Sequence, residues 1–321
     1  VTGVTASVFR PAEALRALRF GLAGLAILAL AACQSAQQAP RPSAMAAAAA
    51  VPAVQATAAP APLAVSLAPA KAEVRGKSVL VVDMATGQEL DSFNADAPRY
   101  PASLTKMMTL YLLFEAIDRG EISLDSQLPV SARAASRPPA KLGVGAGGSL
   151  RVEEAVQALA IRSANDMAVA VAERLAGSED AFAAEMSRKA LELGMSRTRF
   201  VNASGLPDTR QVTTARDMAT LGQALRRRFP QHMHYFSEPS FQFRGRTIEA
   251  TNKLLGKVPG VDGLKTGHID MSGYNLVATG SRNGRQLMVV VLGGPTEAAR
   301  DREVTALFER YFASDTASLM N

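Results

Sequence analysis

Three clusters in this 321-residue chain hold residue types that can perform acyl transfer, in a fixed order: Ser103-Leu104-Thr105-Lys106, Ser163-Ala164-Asn165 and Lys265-Thr266-Gly267. A serine hydroxyl is a poor nucleophile until an adjacent base takes its proton. Lys106, three residues after Ser103, shares a helical face with it and is the candidate base. It can act only as a neutral amine, and burial together with a second cation would favour that form; Lys265 is the candidate second cation. Ser163 can relay a proton to a leaving amine, and Asn165 can hydrogen-bond a substrate amide. Lys265 and Thr266 can hold a terminal carboxylate, while Gly267 lets an extended backbone approach a strand edge. The backbone N–H groups of Ser103 and His268 are candidates for the oxyanion hole.

The clusters differ in weight. Ser-x-Asn recurs at Ser92-Phe93-Asn94 and Ser281-Arg282-Asn283, so alone it carries almost nothing. Ser-x-x-Lys and Lys-Thr-Gly each occur once, although the chain has only eight lysines. The first two clusters also have plain structural readings: an N-cap serine beside a surface lysine, and a capping cluster at a helix junction. Order and separation favour the chemical reading.

The elements that must position these residues follow from periodicity. Ser78–Asp83 and Gln88–Asn94 read as strands around an Ala85-Thr86-Gly87 turn. A helix is predicted from Ser103 to about Arg119, with Met107, Leu110, Tyr111, Phe114 and Ile117 at core spacing and Gly120 as its stop. Further helices are predicted over Val152–Arg162, Asp166–Ala176, Asp180–Leu193 and Thr214–Arg228. Strands return at Phe241–Phe243, Gly263–Thr266, Asn275–Thr279 and Leu287–Leu292, with Asn283-Gly284 as a hairpin turn between the last two. Thr296–Phe312 reads as a closing amphipathic helix. Strands at both ends with a helical insertion predict an α/β (α+β) fold, a mainly antiparallel sheet covered by helices. His232 and His234 could share a strand face, and surface or satisfied core imidazoles are the expected reading.

The formal net charge is +6, of which residues 1–32 supply +2 through Arg10, Arg16 and Arg19 against Glu13. Such a balance favours anionic surfaces, wall polymer or lipid headgroups. Arg226-Arg227-Arg228 reads as a solvated helix end, and no nucleic-acid partner is expected. One cysteine excludes an internal disulfide framework; with three histidines, no zinc site and no cofactor are expected. Phe20–Ala32 is an apolar run of thirteen residues behind a positive segment, too short to span a bilayer comfortably, and reads as a signal peptide. It ends in Leu30-Ala31-Ala32-Cys33, which resembles a bacterial lipoprotein cleavage box and makes Cys33 the candidate lipidation site. An ordinary signal cleaved at Ala29-Leu30-Ala31 is the alternative. Residues 33–72, with Pro40, Pro42, Pro52, Pro60, Pro62 and Pro69 among alanines, read as a tether. The expected organisation is 1–32 signal peptide, 33–72 tether, 73–313 catalytic domain and 314–321 tail.

The chain resembles the serine D-Ala-D-Ala carboxypeptidases, the low-molecular-mass penicillin-binding proteins of peptidase family S11. The resemblance rests on Pro101-Ala102-Ser103-Leu104-Thr105-Lys106-Met107-Met108-Thr109, on Arg162-Ser163-Ala164-Asn165-Asp166, and on Pro259 to His268 followed by Gly273-Tyr274-Asn275-Leu276-Val277-Ala278. It extends over about residues 74 to 313. It implies a β-lactamase/transpeptidase-like fold and hydrolysis of the terminal D-alanine from peptidoglycan stem pentapeptides in the periplasm. It also implies inhibition by β-lactam antibiotics. Ser103 would be the acyl-ester nucleophile, Lys106 the proton acceptor, Ser163 the third catalytic residue and Lys265 a substrate-binding cation. Arg300 follows the third motif at a spacing that suggests a further carboxylate contact, and on spacing alone it stays outside the assigned set. Family members often add a β-rich domain and a C-terminal amphipathic helix; here the Cys33 lipid would replace that anchor, with the final membrane left open by Gln34. A class A β-lactamase would need a Glu-x-x-Leu-Asn segment between the second and third motifs, and none is present. A D,D-endopeptidase acting on cross-links remains compatible with the motifs. A non-catalytic wall-binding lipoprotein fits poorly with intact Ser103, Lys106, Ser163 and Lys265.

Overall fold

The computed structural model describes residues 74–318. The signal-like segment, Cys33 and the Ala/Pro-rich stretch lie outside the described residues. The chain opens with a hairpin of Ser78–Asp83 (β1) and Glu89–Phe93 (β2). Thr105–Asp118 (α1) follows and is buried from Thr105 to Ala116, as a helix apolar on nearly all sides must be. Gly120, at φ +70°, ends it. The insertion then runs through Gln127–Pro129 (β3), Ala132–Ala135 (α2), Ser149–Arg151 (β4), Val152–Gln157 (α3), Asn165–Ala176 (α4) and Glu179–Glu192 (α5). Ala215–Arg228 (α6), His234–Ser237 (α7), Ser240–Phe243 (β5) and Arg246–Glu249 (β6) complete it. Side-chain caps set several starts: Ser178 accepts from Ala181 N before α5, and Thr214 from Asp217 N before α6.

Three long strands close the chain, Val261–Ile269 (β7), Gly273–Arg282 (β8) and Arg285–Gly294 (β9), before Glu297–Ser318 (α8). The main sheet has the order β2-β1-β9-β8-β7 and every pairing is antiparallel. First and last segments of the described chain therefore meet at its centre, with β7 at one edge. Alternation along the central strands feeds two cores. Leu80, Val82, Val277, Met288, Val290 and Leu292 face the helical insertion. Val79, Val81, Leu276, Leu287, Val289 and Val291 face Val304, Leu307, Phe308 and Phe312 of α8. Each such buried side chain contributes roughly 1.5–3 kcal/mol. Between β8 and β9, Asn283 and Gly284 both take positive φ, 50° and 81°, the conformation that a two-residue hairpin of this twist requires.

The expected α+β architecture is what forms, with four local corrections. α1 begins at Thr105, and Ser103 lies in a preceding 3₁₀ turn, Ala102–Leu104, so it is not an N-cap. The helix expected over Val152–Arg162 is α-helical only to Gln157 and continues as a wider π turn, Ala158–Arg162. His232 and His234 share no strand; they sit in a 3₁₀ turn and in α7, where His232 stacks on Phe114 at 4.4 Å. The closing helix passes Phe312 and runs to Ser318. No helix among the described residues is long and apolar enough to cross a membrane.

Candidate active site

The nucleophile turn is held from two sides. Leu104 N bonds Pro101 O at 3.2 Å, and Ala102 adopts a positive φ of 49°. Asn275 on β8 donates through Nδ2 to Tyr100 O (2.9 Å) and Pro101 O (3.2 Å), while its Oδ1 accepts from Gly293 N. Opposite this turn on β7 stands Gly267. A Cβ there would lie 3.0 Å from Ser103 N and 3.1 Å from both Leu104 N and Pro101 O. Strand and turn touch backbone to backbone because residue 267 has no side chain.

Lys106 points back one turn. Its Nζ lies 3.0 Å from Ser103 Oγ and 2.8 Å from Asn165 Oδ1, and it also donates to Ser204 O. The orientation of the Asn165 amide is fixed by its other end, since Nδ2 donates to Pro138 O at 3.0 Å. Ser204 is fixed by the turn around Asn202, whose Oδ1 accepts from Gly205 N at 2.7 Å, and by Thr109 Oγ1 donating to Ala203 O. Burial first, and the charge of Lys265 second, hold the Lys106 ammonium well below the usual lysine range; Asp166 acts in the opposite sense.

The second motif owes its position to the π turn. Ser163 closes that turn in a left-handed conformation, φ 65° and ψ 38°, and α4 starts immediately afterwards at Asn165. A bulge and a strained non-glycine residue at one point are typical of positions selected for chemistry. Asp166, fully buried, accepts from Leu142 N (3.0 Å) and Gly143 N (2.8 Å), and Asn165 N donates to Ala140 O (2.7 Å). These bonds hold the Pro138–Gly143 segment as one wall of the site.

The third motif lies along edge strand β7. Lys265 is 1% exposed and donates to Thr266 O. Burial, then the neighbouring Arg300 guanidinium, brings its pKa down to about 7. Thr266 Oγ1 donates to Thr251 Oγ1 at 2.8 Å, and His268 stacks on Tyr274 with ring centroids 4.0 Å apart. Together these elements enclose a cleft of ≈ 310 Å³. Ser103, Ser163, Asn165, Thr266, Gly267 and His268 all line it; Lys106 and Lys265 lie buried behind it. Of the site residues expected from the sequence, only Cys33 is outside the described residues.

Sequence reasoning missed the Ser204 carbonyl, Thr251 and the Pro138–Ala140 wall. A backbone carbonyl leaves no side-chain signature, so Ser204 had none to find. Arg300, flagged by spacing alone, is 2% exposed and lines the same cleft, with Nη1 on Asn275 O at 3.0 Å and Nε on Asp301 Oδ1 at 2.9 Å. Among the described residues no group of three or more His, Cys, Asp or Glu side chains is placed to hold a metal ion.

Comparison with known proteins bears on this geometry. The sequence profile of peptidase family S11, described as D-alanyl-D-alanine carboxypeptidase, matches residues 65–296. The D-alanyl-D-alanine carboxypeptidase DacA of Escherichia coli (strain K12) is 35% identical over 245 residues, 74% of this chain and 61% of that protein. The chain thus spans about three fifths of the length of that curated relative. The structure of penicillin binding protein 5 from Haemophilus influenzae aligns with a TM-score of 0.71 at 33% identity, over 76% of this chain and 72% of that one. Penicillin-binding protein D2 from Listeria monocytogenes, in its ampicillin-bound form, aligns with a TM-score of 0.64 at 34% identity, over 72% and 95% of the two chains.

Proposed function

We propose that this chain, which belongs to the D-alanyl-D-alanine carboxypeptidase family, removes the terminal D-alanine from peptidoglycan stem pentapeptides through a serine ester. The observation that carries this reading is the set of partners around Lys106. A neutral amine has two N–H bonds and one lone pair. Asn165 Oδ1 and the Ser204 carbonyl are fixed acceptors and take the two N–H bonds. The lone pair is then left for the third neighbour, Ser103 Oγ at 3.0 Å. That is the geometry of a general base poised on its nucleophile.

From there each step uses a residue in or behind the cleft. The terminal carboxylate of the peptide binds Lys265, Thr266 and the Arg300 end. Ser103 Oγ attacks the carbonyl carbon of the penultimate D-alanine, and its proton passes to Lys106 Nζ. The carbonyl oxygen becomes an oxyanion held by backbone N–H groups of Ser103 and His268. Collapse breaks the C–N bond, and the leaving amine takes the proton from Lys106 by way of Ser163. Water then attacks the ester with Lys106 again as base, releasing the shortened peptide and restoring the Ser103 hydroxyl.

The same ester chemistry makes the protein a target of β-lactam antibiotics, whose strained amide acylates Ser103. The substrate places the protein outside the cytoplasm, in the periplasm. There, residues 1–32 would have served as signal peptide, a lipid on Cys33 would hold the chain to a membrane, and residues 33–72 would bridge from lipid to wall. Cleavage of cross-links by the same machinery is the second reading, and no specific contact in the cleft favours it. The test is mass spectrometry of products from purified pentapeptide and cross-linked muropeptides, with Ser103→Ala as control. Loss of 71 Da, one alanine residue, from the pentapeptide by wild type alone (about that mass from elementary composition) is the expected result; intact pentapeptide alongside resolved cross-links would replace this reading by the second.

A further inference from the structure

Among the described residues one carboxylate side chain lines the cleft, that of Glu297. It stands at the start of α8, beside the cationic end of the site formed by Lys265 and Arg300. Acidic residues in a first helical turn are common because they complement the helix dipole, and that alone would not distinguish it. Two further observations do. Its side chain is 50% exposed and faces the same cavity as Ser103 and Thr266. Its charge is also not consumed by Arg300, which lies 3.6 Å away but is held more closely by Asp301, at 2.7 Å, and by the Asn275 carbonyl.

We infer that Glu297 is a specificity-determining residue that biases the cleft against leaving groups carrying a second carboxylate and toward those that are neutral or carry an amine. The inference rests on the carboxypeptidase reading and deepens it. In that reading the terminal carboxylate sits at the Lys265/Arg300 end, and the side chain of the departing residue branches from the carbon bearing that carboxylate. It therefore emerges within a few ångströms of the Glu297 carboxylate. A departing D-alanine brings only the terminal carboxylate that every such substrate shares, so Glu297 does not discriminate against it. The amine released from a cross-link belongs to a second stem peptide, and any carboxylate that this peptide brings to the same position meets repulsion. Glu297 thus separates the two classes of substrate that the catalytic motifs alone treat alike.

The experiment uses three acylated tripeptides identical up to the penultimate D-alanine and ending in D-alanine, D-glutamate or D-lysine. Release of the last residue is followed by chromatography for wild type, Glu297→Gln and Glu297→Lys. At a separation of several ångströms in a half-exposed site, one charge changes kcat/KM by roughly fivefold. The Glu297 charge should therefore raise the D-lysine to D-glutamate ratio of the wild type by about an order of magnitude, an effect that shrinks with added salt. Glu297→Gln should lower the ratio by about that factor and Glu297→Lys should lower it further, whereas a purely structural role would lower all three rates together. An unchanged ratio across the three proteins overturns the inference and leaves the carboxypeptidase reading standing. A wild-type protein that releases none of the three residues and forms no ester with a fluorescent penicillin overturns both.

Discussion

Replacing Gly267 by alanine tests the contact on which the site geometry depends. The new Cβ would stand 3.0–3.1 Å from three backbone atoms of the nucleophile turn, against about 3.4 Å for ordinary contact. Strand β7 and the turn must part by a few tenths of an ångström. The turn cannot recede freely, because Asn275 pins Tyr100 O and Pro101 O to β8. Overpacking of this kind costs about 1–3 kcal/mol of stability. The kinetic effect follows from misplacement: about 1 Å costs roughly 100-fold, so a few tenths cost roughly three- to tenfold, and more if an oxyanion donor on Ser103 loses its aim. The assay is the second-order rate of acylation by a fluorescent penicillin, read beside the thermal midpoint. Gly256→Ala is the control, since that glycine has φ +72° and open space around it. It should lower the midpoint through backbone strain, by about 1 kcal/mol, and leave acylation unchanged. Acylation of Gly267→Ala at the wild-type rate would refute the close-contact argument.

Two further outcomes follow from the same geometry, and a third from the sequence. The charge of Lys265 helps to depress the Lys106 pKa, so Lys265→Gln should raise it and move the rising limb of acylation against pH to higher pH; a limb that stays put or moves down counts against the coupling. Asn165→Asp places a carboxylate 2.8 Å from Lys106 Nζ and should shift that limb upward as well, by about one pH unit or more, and slow acylation at neutral pH; faster acylation there would contradict the lone-pair argument. If Cys33 carries the lipid, Cys33→Ala should abolish incorporation of labelled fatty acid and release the protein from membranes; a wild-type mature N-terminus other than Cys33 decides for an ordinary signal peptide.

Much of this was legible in the sequence because the relevant signals are side chains at regular spacing. The unbroken apolar runs in Ser78–Asp83 and Leu287–Leu292 fit strands buried on both faces, and the structure sends successive residues into opposite cores. The Asn283-Gly284 pair specifies its hairpin by backbone conformation alone. What stayed hidden depends on backbone groups and on segments far apart in the chain. The Ser204 carbonyl reaches Lys106 across 98 positions, and its placement depends on Gly205, where a Cβ would lie only 1.8 Å from Ala102 O. The π turn before Ser163, Ala158 to Arg162, is made of residues that an α-helix accepts as well. Its wider winding places the serine through tertiary packing that local propensity does not encode.

The two buried lysines connect the energetics of this fold to its chemistry. A lysine whose folded pKa is depressed binds fewer protons than its unfolded counterpart in the window between the two values. Stability contributed by such a group is least below the folded pKa and recovers as pH rises; for Lys265 the window runs from about 7 to 10.5. At neutral pH the fold therefore bears an electrostatic cost at Lys265, and Lys106 adds to it in the same sense. Surrounding apolar packing offsets this cost, since Lys106 lies in a helix whose neighbours Leu104, Met107, Met108 and Leu110 are wholly buried. The same depression supplies the reactive form. An exposed lysine would keep its proton throughout the physiological range and leave Ser103 with no acceptor. The destabilising burial and the activation of the nucleophile are one feature of the structure, so a substitution that restores an ordinary lysine environment at position 106 should stabilise the protein and silence it together.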